Sequence, residues 1–115
     1  MRRTFRQIKR EVCGEFEIPV EDFDSDKRTK KITLARQKAW FVGRNETGLG
    51  WAQLGRLSGG KDHASVHYGY FRWAWMHGKP VPPMMEKRMG KLKDATKWLN
   101  RYSLPAVPER ALLSS

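Results

Sequence analysis

Gly48-Leu-Gly-Trp-Ala-Gln-Leu-Gly-Arg-Leu-Ser-Gly-Gly-Lys-Asp-His-Ala-Ser-Val-His-Tyr68 decides how this chain is read. Trp51, Leu54 and Leu57 form a brief apolar stripe, which predicts a short helix ending at Ser58-Gly59-Gly60. Glycine takes positive φ without steric penalty, so the pair suits a sharp helix-to-helix turn. Asp62 is placed to cap the next helix through its carboxylate. A short helix, a glycine turn and a second, capped helix are the grammar of a helix-turn-helix, whose second helix enters the DNA major groove. The residues aimed at the groove are then Lys61, Asp62, His63, Ala64 and Ser65, with His67 and Tyr68 one turn later. Lys61 can donate to guanine or a phosphate, Asp62 can accept from a cytosine amino group, and the Ala64 methyl can meet a thymine methyl. Ser65 and Tyr68 can bond phosphates or base edges. Spacing alone leaves a second reading open: Asp62 is only a cap, and His63 and Ser65 are ordinary surface residues.

Outward from this stretch, the chain reads as helices. Thr4 is the expected N-cap of a first helix, and Phe5, Ile8, Val12 and Phe16 follow at spacings of 3, 4 and 4. Ile18-Pro19-Val20 stops it, because proline disfavours helix at the preceding residue. Val20 to Phe23 is expected to make one short turn of helix that packs Phe23. Residues 24–31 contain no apolar side chain and four basic ones, and by themselves read as a solvated connector. A helix is expected from about Thr33 to about Gly43, with Leu34, Ala35, Ala39 and Val42 facing inward and glycines 43, 48 and 50 breaking the chain. In the helix after Asp62, Val66, Tyr70, Trp73 and His77 or Met76 share one face, and Gly69 permits a close crossing. Gly78-Lys-Pro-Val-Pro-Pro83 ends that helix. A last amphipathic helix is expected from about Met84 to Tyr102, packing through Met85, Met89, Leu92, Trp98, Leu99 and Tyr102. The chain is thus all-α with five or six helices. It divides into a helix-turn-helix domain at 1–78, an additional C-terminal helix packed on it at 79–102, and a flexible tail at 103–115.

With 115 residues this is one domain, large enough to bury a core without staples. Lys and Arg total 23 against 12 acidic residues, a net charge of +11. Such an excess speeds encounter with polyanions, nucleic acid first and an anionic membrane surface second. The single Cys13 lies on the apolar side of the first helix, so a buried reduced thiol is expected rather than a nucleophile. No apolar run is long enough to span a bilayer and no signal-peptide core follows the basic N-terminus, which fits the reducing cytoplasm.

Catalytic chemistry is not encoded in any recognisable form. Gly48, Gly50 and Gly55 miss the dinucleotide fingerprint, and Gly59-Gly60-Lys61-Asp62 lacks the spaced glycine and the Ser/Thr of a phosphate loop. His63 and His67 stand at i, i+4, but Ala64 replaces the glutamate of the zinc-protease helix. No enzyme activity, cofactor, nucleotide or metal is expected.

The segment Ala35-Arg-Gln-Lys-Ala39, followed by Gly55-Arg-Leu-Ser-Gly-Gly-Lys-Asp-His-Ala-Ser-Val66, resembles the C-terminal DNA-binding domain (domain IV) of the bacterial replication initiator DnaA. That domain carries an Arg-Gln helix and a Gly-Gly-Arg-Asp-His-Thr-Thr-Val signature opening its recognition helix. The likeness runs from about Thr4 to about Trp73. It implies a Trp-repressor-like helix-turn-helix fold and sequence-specific binding of double-stranded DNA at the short asymmetric DnaA box. Arg28 matches the family's minor-groove arginine, which turns the connector into a reading element. Arg36 and Gln37 match the pair on the phosphate backbone, and Tyr68 falls on a phosphate-touching histidine. Trp51 and Ala52 fall at backbone contacts, where the family's usual Leu-Pro is replaced. Lys27 and Lys30 of the basic loop are expected on phosphates too. Lys61 replaces arginine and loses its bidentate fork. Ala64 and Ser65 replace two threonines, a change that bears on the box preference more than on DNA binding.

Met1 lies almost at the first helix of that domain. The expectation is a stand-alone bacterial or phage protein, nucleoid-associated in the cytoplasm and without the initiator's ATPase module, that regulates replication initiation or transcription. Two other classes are carried. Five tryptophans and the extra helix suit an adaptor that binds a protein, full-length DnaA or another replication protein. Charge alone suits a non-specific nucleoid or RNA binder.

Overall fold

A computed structural model describes residues 3–89, which form six helices. Helix α1 (Phe5–Phe16) opens on a capping box. The Thr4 side chain accepts from the Gln7 amide at 3.2 Å, and Gln7 Oε1 accepts from the Thr4 amide at 2.8 Å. The expected stripe is its buried face, joined by Cys13. Burial first, and then the Asp24 charge, push the Cys13 thiol up to about 11, so it remains protonated and unreactive at neutral pH. Glu17 closes α1 in a left-handed conformation, its amide returning to the Cys13 and Gly14 carbonyls. Helix α2 (Val20–Asp24) follows and buries Phe23 completely, as its single turn predicts.

Helix α3 (Lys30–Thr47) is longer than the pattern predicts at both ends. Its start moves earlier because the Thr29 hydroxyl accepts from the Ile32 amide at 3.3 Å, so Lys30 and Lys31 lie in helix rather than loop. It continues through Gly43, which does not break it. A Cβ there would come within 2.6 Å of the Phe5 ring, so this glycine makes room for α1. The helix ends at Gly48, in the left-handed region at φ 71°. Helix α3 is the centre of the molecule, with α1 packed on one side and α5 on another. Consequently its polar Arg36, Gln37 and Lys38 are buried along with Leu34, Ala39 and Phe41. Buried charges need partners, and Lys38 pairs with Glu15 of α1.

Helices α4 (Trp51–Arg56) and α5 (His63–Met76) follow the predicted order. Leu54 is fully buried, but Leu57, counted in the apolar stripe, is 44% exposed because α4 ends at Arg56 and the turn carries Leu57 outward. Val66, Trp73, Ala74, Trp75 and Met76 of α5 enter the core. Full burial of a side chain as large as Trp73 contributes about 2–3 kcal/mol. Gly69 lies where α5 crosses α3, and a Cβ there would come within 2.5 Å of the Trp40 ring. Helix α6 (Pro83–Met89) buries Met85 and Met89 against this core and leaves Met84 82% exposed. The remainder of the expected last helix, with Leu92, Trp98, Leu99 and Tyr102, and the expected tail lie outside the described residues.

Candidate nucleic-acid interface

The turn between α4 and α5 is built for sharpness. Gly59 and Gly60 take φ of +81° and +79°, a region that side chains with a Cβ rarely adopt. The Lys61 amide returns to the Gly55 carbonyl at 2.8 Å. Ser58 pins the turn to α3: its hydroxyl accepts from Trp40 Nε1 at 2.9 Å and donates to the Leu54 carbonyl at 2.7 Å. Asp62 caps α5 as predicted, Oδ2 accepting from the Ala64 amide at 3.3 Å. The side chains of Asp62 and His63 are 65% and 70% exposed, and Ala64 and Ser65 are exposed beside them. Val66 is fully buried directly behind. The first turn of α5 therefore presents its polar side chains outward on a backbone anchored from within.

One flank of that turn is the loop at 25–29. Its shape is set by Arg36, whose guanidinium donates to four backbone carbonyls. Nε reaches Phe23 at 2.8 Å, Nη1 reaches Lys27 at 2.8 Å, and Nη2 reaches Asp22 at 3.1 Å and Ser25 at 2.6 Å. An arginine has five N–H groups, so this one is committed equally to the end of α2 and to the loop, with a single N–H remaining. Burial lowers its pKa, but a guanidinium stays charged at any ordinary pH. Lys61 also faces the loop: its Nζ donates to the Asp24 carbonyl at 3.0 Å. Burial first, and then the Arg36 charge, lower its ammonium below the ordinary lysine range. Two of its three donors remain for a ligand. Arg28 and Lys27 are exposed on the loop, Lys27 paired with Asp22 at 3.0 Å, and Lys30 is exposed at the start of α3.

Between loop and helix lies an open cavity of about 500 Å³, lined among others by Arg28, Arg36, Gln37, Lys61, Ser65 and Tyr68. Gln37 is buried, and its Oε1 has no hydrogen-bond partner. The other flank is apolar. A groove of about 610 Å³ is lined by Trp51, His63, Ala64, His67, Tyr68, Pro82, Met84 and Met85. Trp51 is half-buried there, with the Arg44 guanidinium 4.8 Å from its ring and the His67 ring edge-on at 5.1 Å. Ala52 is exposed next to it.

The fold thus brings Arg28, Lys61, Ser65, Gln37 and Tyr68 around one cavity, and sets Trp51 beside the opposite edge of α5. Sequence reasoning missed Met84 and Pro82 at that edge. It also missed Lys9, which reaches from α1 to Asp24 at the root of the loop and to Leu57 after α4. The proline-rich segment after Gly78 was the available signal for the first, since it turns the chain back along α5. No local signal marks Lys9. Among the described residues, no group of three His, Cys, Asp or Glu side chains gathers as a metal site would require, and no helix is long and apolar enough to cross a membrane.

A short helix, a tight turn and an exposed, capped second helix define a helix-turn-helix domain of the DNA-binding class. The chain belongs to the family described as bacterial DnaA protein helix-turn-helix, whose pattern matches residues 5–72. It is 40% identical over 65 residues to the chromosomal replication initiator protein DnaA of Thermodesulfovibrio yellowstonii, covering 56% of this chain and 15% of that protein. The DnaA of Thermoanaerobacter sp. is 42% identical over 67 residues, covering 58% and 15%. That of Gloeobacter violaceus is 40% identical over 57 residues, covering 50% and 13%. The chain therefore spans about a seventh of the length of these curated relatives. No solved structure matches it.

Proposed function

We propose that this chain binds double-stranded DNA sequence-specifically at a DnaA-box-like site, on nucleoid DNA in the cytoplasm, and thereby regulates replication initiation or transcription. The observation that carries this reading is the convergence of the exposed first turn of α5 and the Arg28 loop on one cavity, in a chain of net charge +11. In this reading Lys61, Asp62, His63, Ala64 and Ser65 read the major groove, and Arg28 enters the minor groove. Lys27, Lys30, Gln37, Trp51, Ala52 and Tyr68 hold phosphates and set register. Arg36 contributes mainly through the loop it suspends, with one N–H left for a phosphate.

The test is binding of a DnaA-box duplex against a scrambled duplex at ~150 mM salt, where phosphate contacts alone are weakened. Preference for the box is expected. Equal affinity for both sinks the sequence-specific reading and leaves a charge-driven binder. His63→Ala is expected to narrow the preference while leaving the salt slope unchanged, since it removes a base-facing group and no phosphate contact. The adaptor reading loses much of its motive, because Trp40, Trp73 and Trp75 are core residues at 5%, 0% and 2% exposure.

A further inference from the structure

Two segments of the candidate interface, the loop at 25–29 and the turn at 57–62, are more than 25 residues apart in sequence. They meet at Asp24. Lys9 of α1 donates from Nζ to both carboxylate oxygens of Asp24, each at 3.1 Å, and from the same Nζ to the Leu57 carbonyl at 2.8 Å. Lys61, at the end of the turn, donates to the Asp24 carbonyl at 3.0 Å. Gly59 lies so close to that carbonyl that a Cβ would overlap it. The Lys9 ammonium also lies 5.8 Å from the centroid of the buried Phe23 ring. One ammonium group thus bonds the root of the loop and the turn ahead of the recognition helix at once. All three of its donors are used, and its side chain is only 11% exposed.

We infer that Lys9 is a positioning residue for DNA recognition: through Asp24 and Leu57 it holds the Arg28 loop and the first turn of α5 in one relative placement. This rests on the DNA-binding reading above. A duplex presents its two grooves at a set spacing, so two reading elements act together only if their separation matches it. Lys9 supplies that match without touching DNA. The geometry also separates it from an ordinary surface lysine, which would act by neutralising a phosphate.

Lys9→Met keeps the length and apolar stem and removes the donors. In the free protein, amide hydrogen exchange by NMR is expected to rise about tenfold at Ser25, Lys27 and Lys61, with the interior of α1 and α3 unchanged. On DNA, the ratio of box to scrambled affinity is expected to fall about tenfold, near the loss from one mismatched base pair, with an unchanged salt slope. If both duplexes are instead weakened alike and the slope drops by about one, Lys9 is a phosphate contact and the inference is overturned. Unchanged exchange at the three amides, or a uniform rise across the domain, overturns it too. Asp24→Asn keeps the volume and one acceptor, and serves if Lys9→Met does not fold; the same changes, smaller, are expected. Failure of the wild-type chain to prefer the box would defeat the parent reading, while the exchange measurement still decides the latch.

Discussion

The first turn of α5 and the loop at 25–29 share a face, yet they are held by opposite means. The turn is secured mainly by near neighbours: Asp62 caps it from one position outside and Val66 anchors it one turn later, while the remote Lys9 reaches only Leu57 ahead of it. The loop is suspended from elsewhere, its Ser25 and Lys27 carbonyls on Arg36 of α3 and its root, Asp24, on Lys9 of α1. A turn secured by near neighbours can exchange outward side chains without moving its backbone, and two of the three departures from the DnaA signature, Ala64 and Ser65, fall there, while Lys61 bonds the root of the loop. A suspended loop moves whenever its remote donors change.

This contrast can be broken most forcefully at Arg36. Arg36→Met should leave the Phe23, Ser25 and Lys27 carbonyls without their donor, while Asp22 keeps its bonds from Ser25, and destabilise the domain by about 2–4 kcal/mol after some rescue by water. Urea unfolding would measure it, and a loss under 1 kcal/mol would mean that the loop supports itself. Gly59→Ala attacks the seam between the two halves. It places a Cβ against the Asp24 carbonyl in a positive-φ conformation, and about 2–3 kcal/mol should be lost. Asp62→Ala touches the locally secured half alone. About 1 kcal/mol is expected, with faster amide exchange confined to the first turn of α5.

The smallest effect concerns the far end of α5. His77 contacts the Trp73 carbonyl through Nδ1 at 2.9 Å, and its Nε2 is buried without a partner. Burial, with a smaller push from Lys38, lowers its pKa below the ordinary 6.5 despite the Trp73 carbonyl. In the window just under 6.5 the unfolded chain then binds more protons than the folded one. Stability contributed by neutral His77 is present above that value and is lost as the pH falls toward the lowered folded value. His77→Gln should flatten this part of the stability profile, and thermal melts between pH 5 and 7 would show it.

What was legible in the sequence follows the same division. Thr4 and Asp62 as caps, the Phe5 to Phe16 stripe and the glycine turn all obey rules that span a few residues, and the structure has them. The length of α3 was misread because Gly43 looks like a breaker until Phe5 is placed against it. The task of Arg36 was hidden because its acceptors lie 9 to 14 positions away and are backbone carbonyls, which carry no mark in a sequence. Lys9 is further from legibility, with partners 15 and 48 residues away. The candidate site was visible as a motif, through the likeness to the DnaA signature, but its mechanical support was not.

The crossing at Gly69 has a thermodynamic consequence. With Trp40 set close against the backbone of α5 at Gly69, sliding or rolling of α5 against α3 would drive the ring into that backbone, which favours the two helices moving together. In the DNA complex proposed above, association would then surrender the rotamer freedom of exposed side chains such as His63 and Arg28, and little backbone entropy. Filling that crossing with a methyl group would loosen the helix before any base was touched, and the added disorder would be felt as a weaker, more enthalpy-dependent grip.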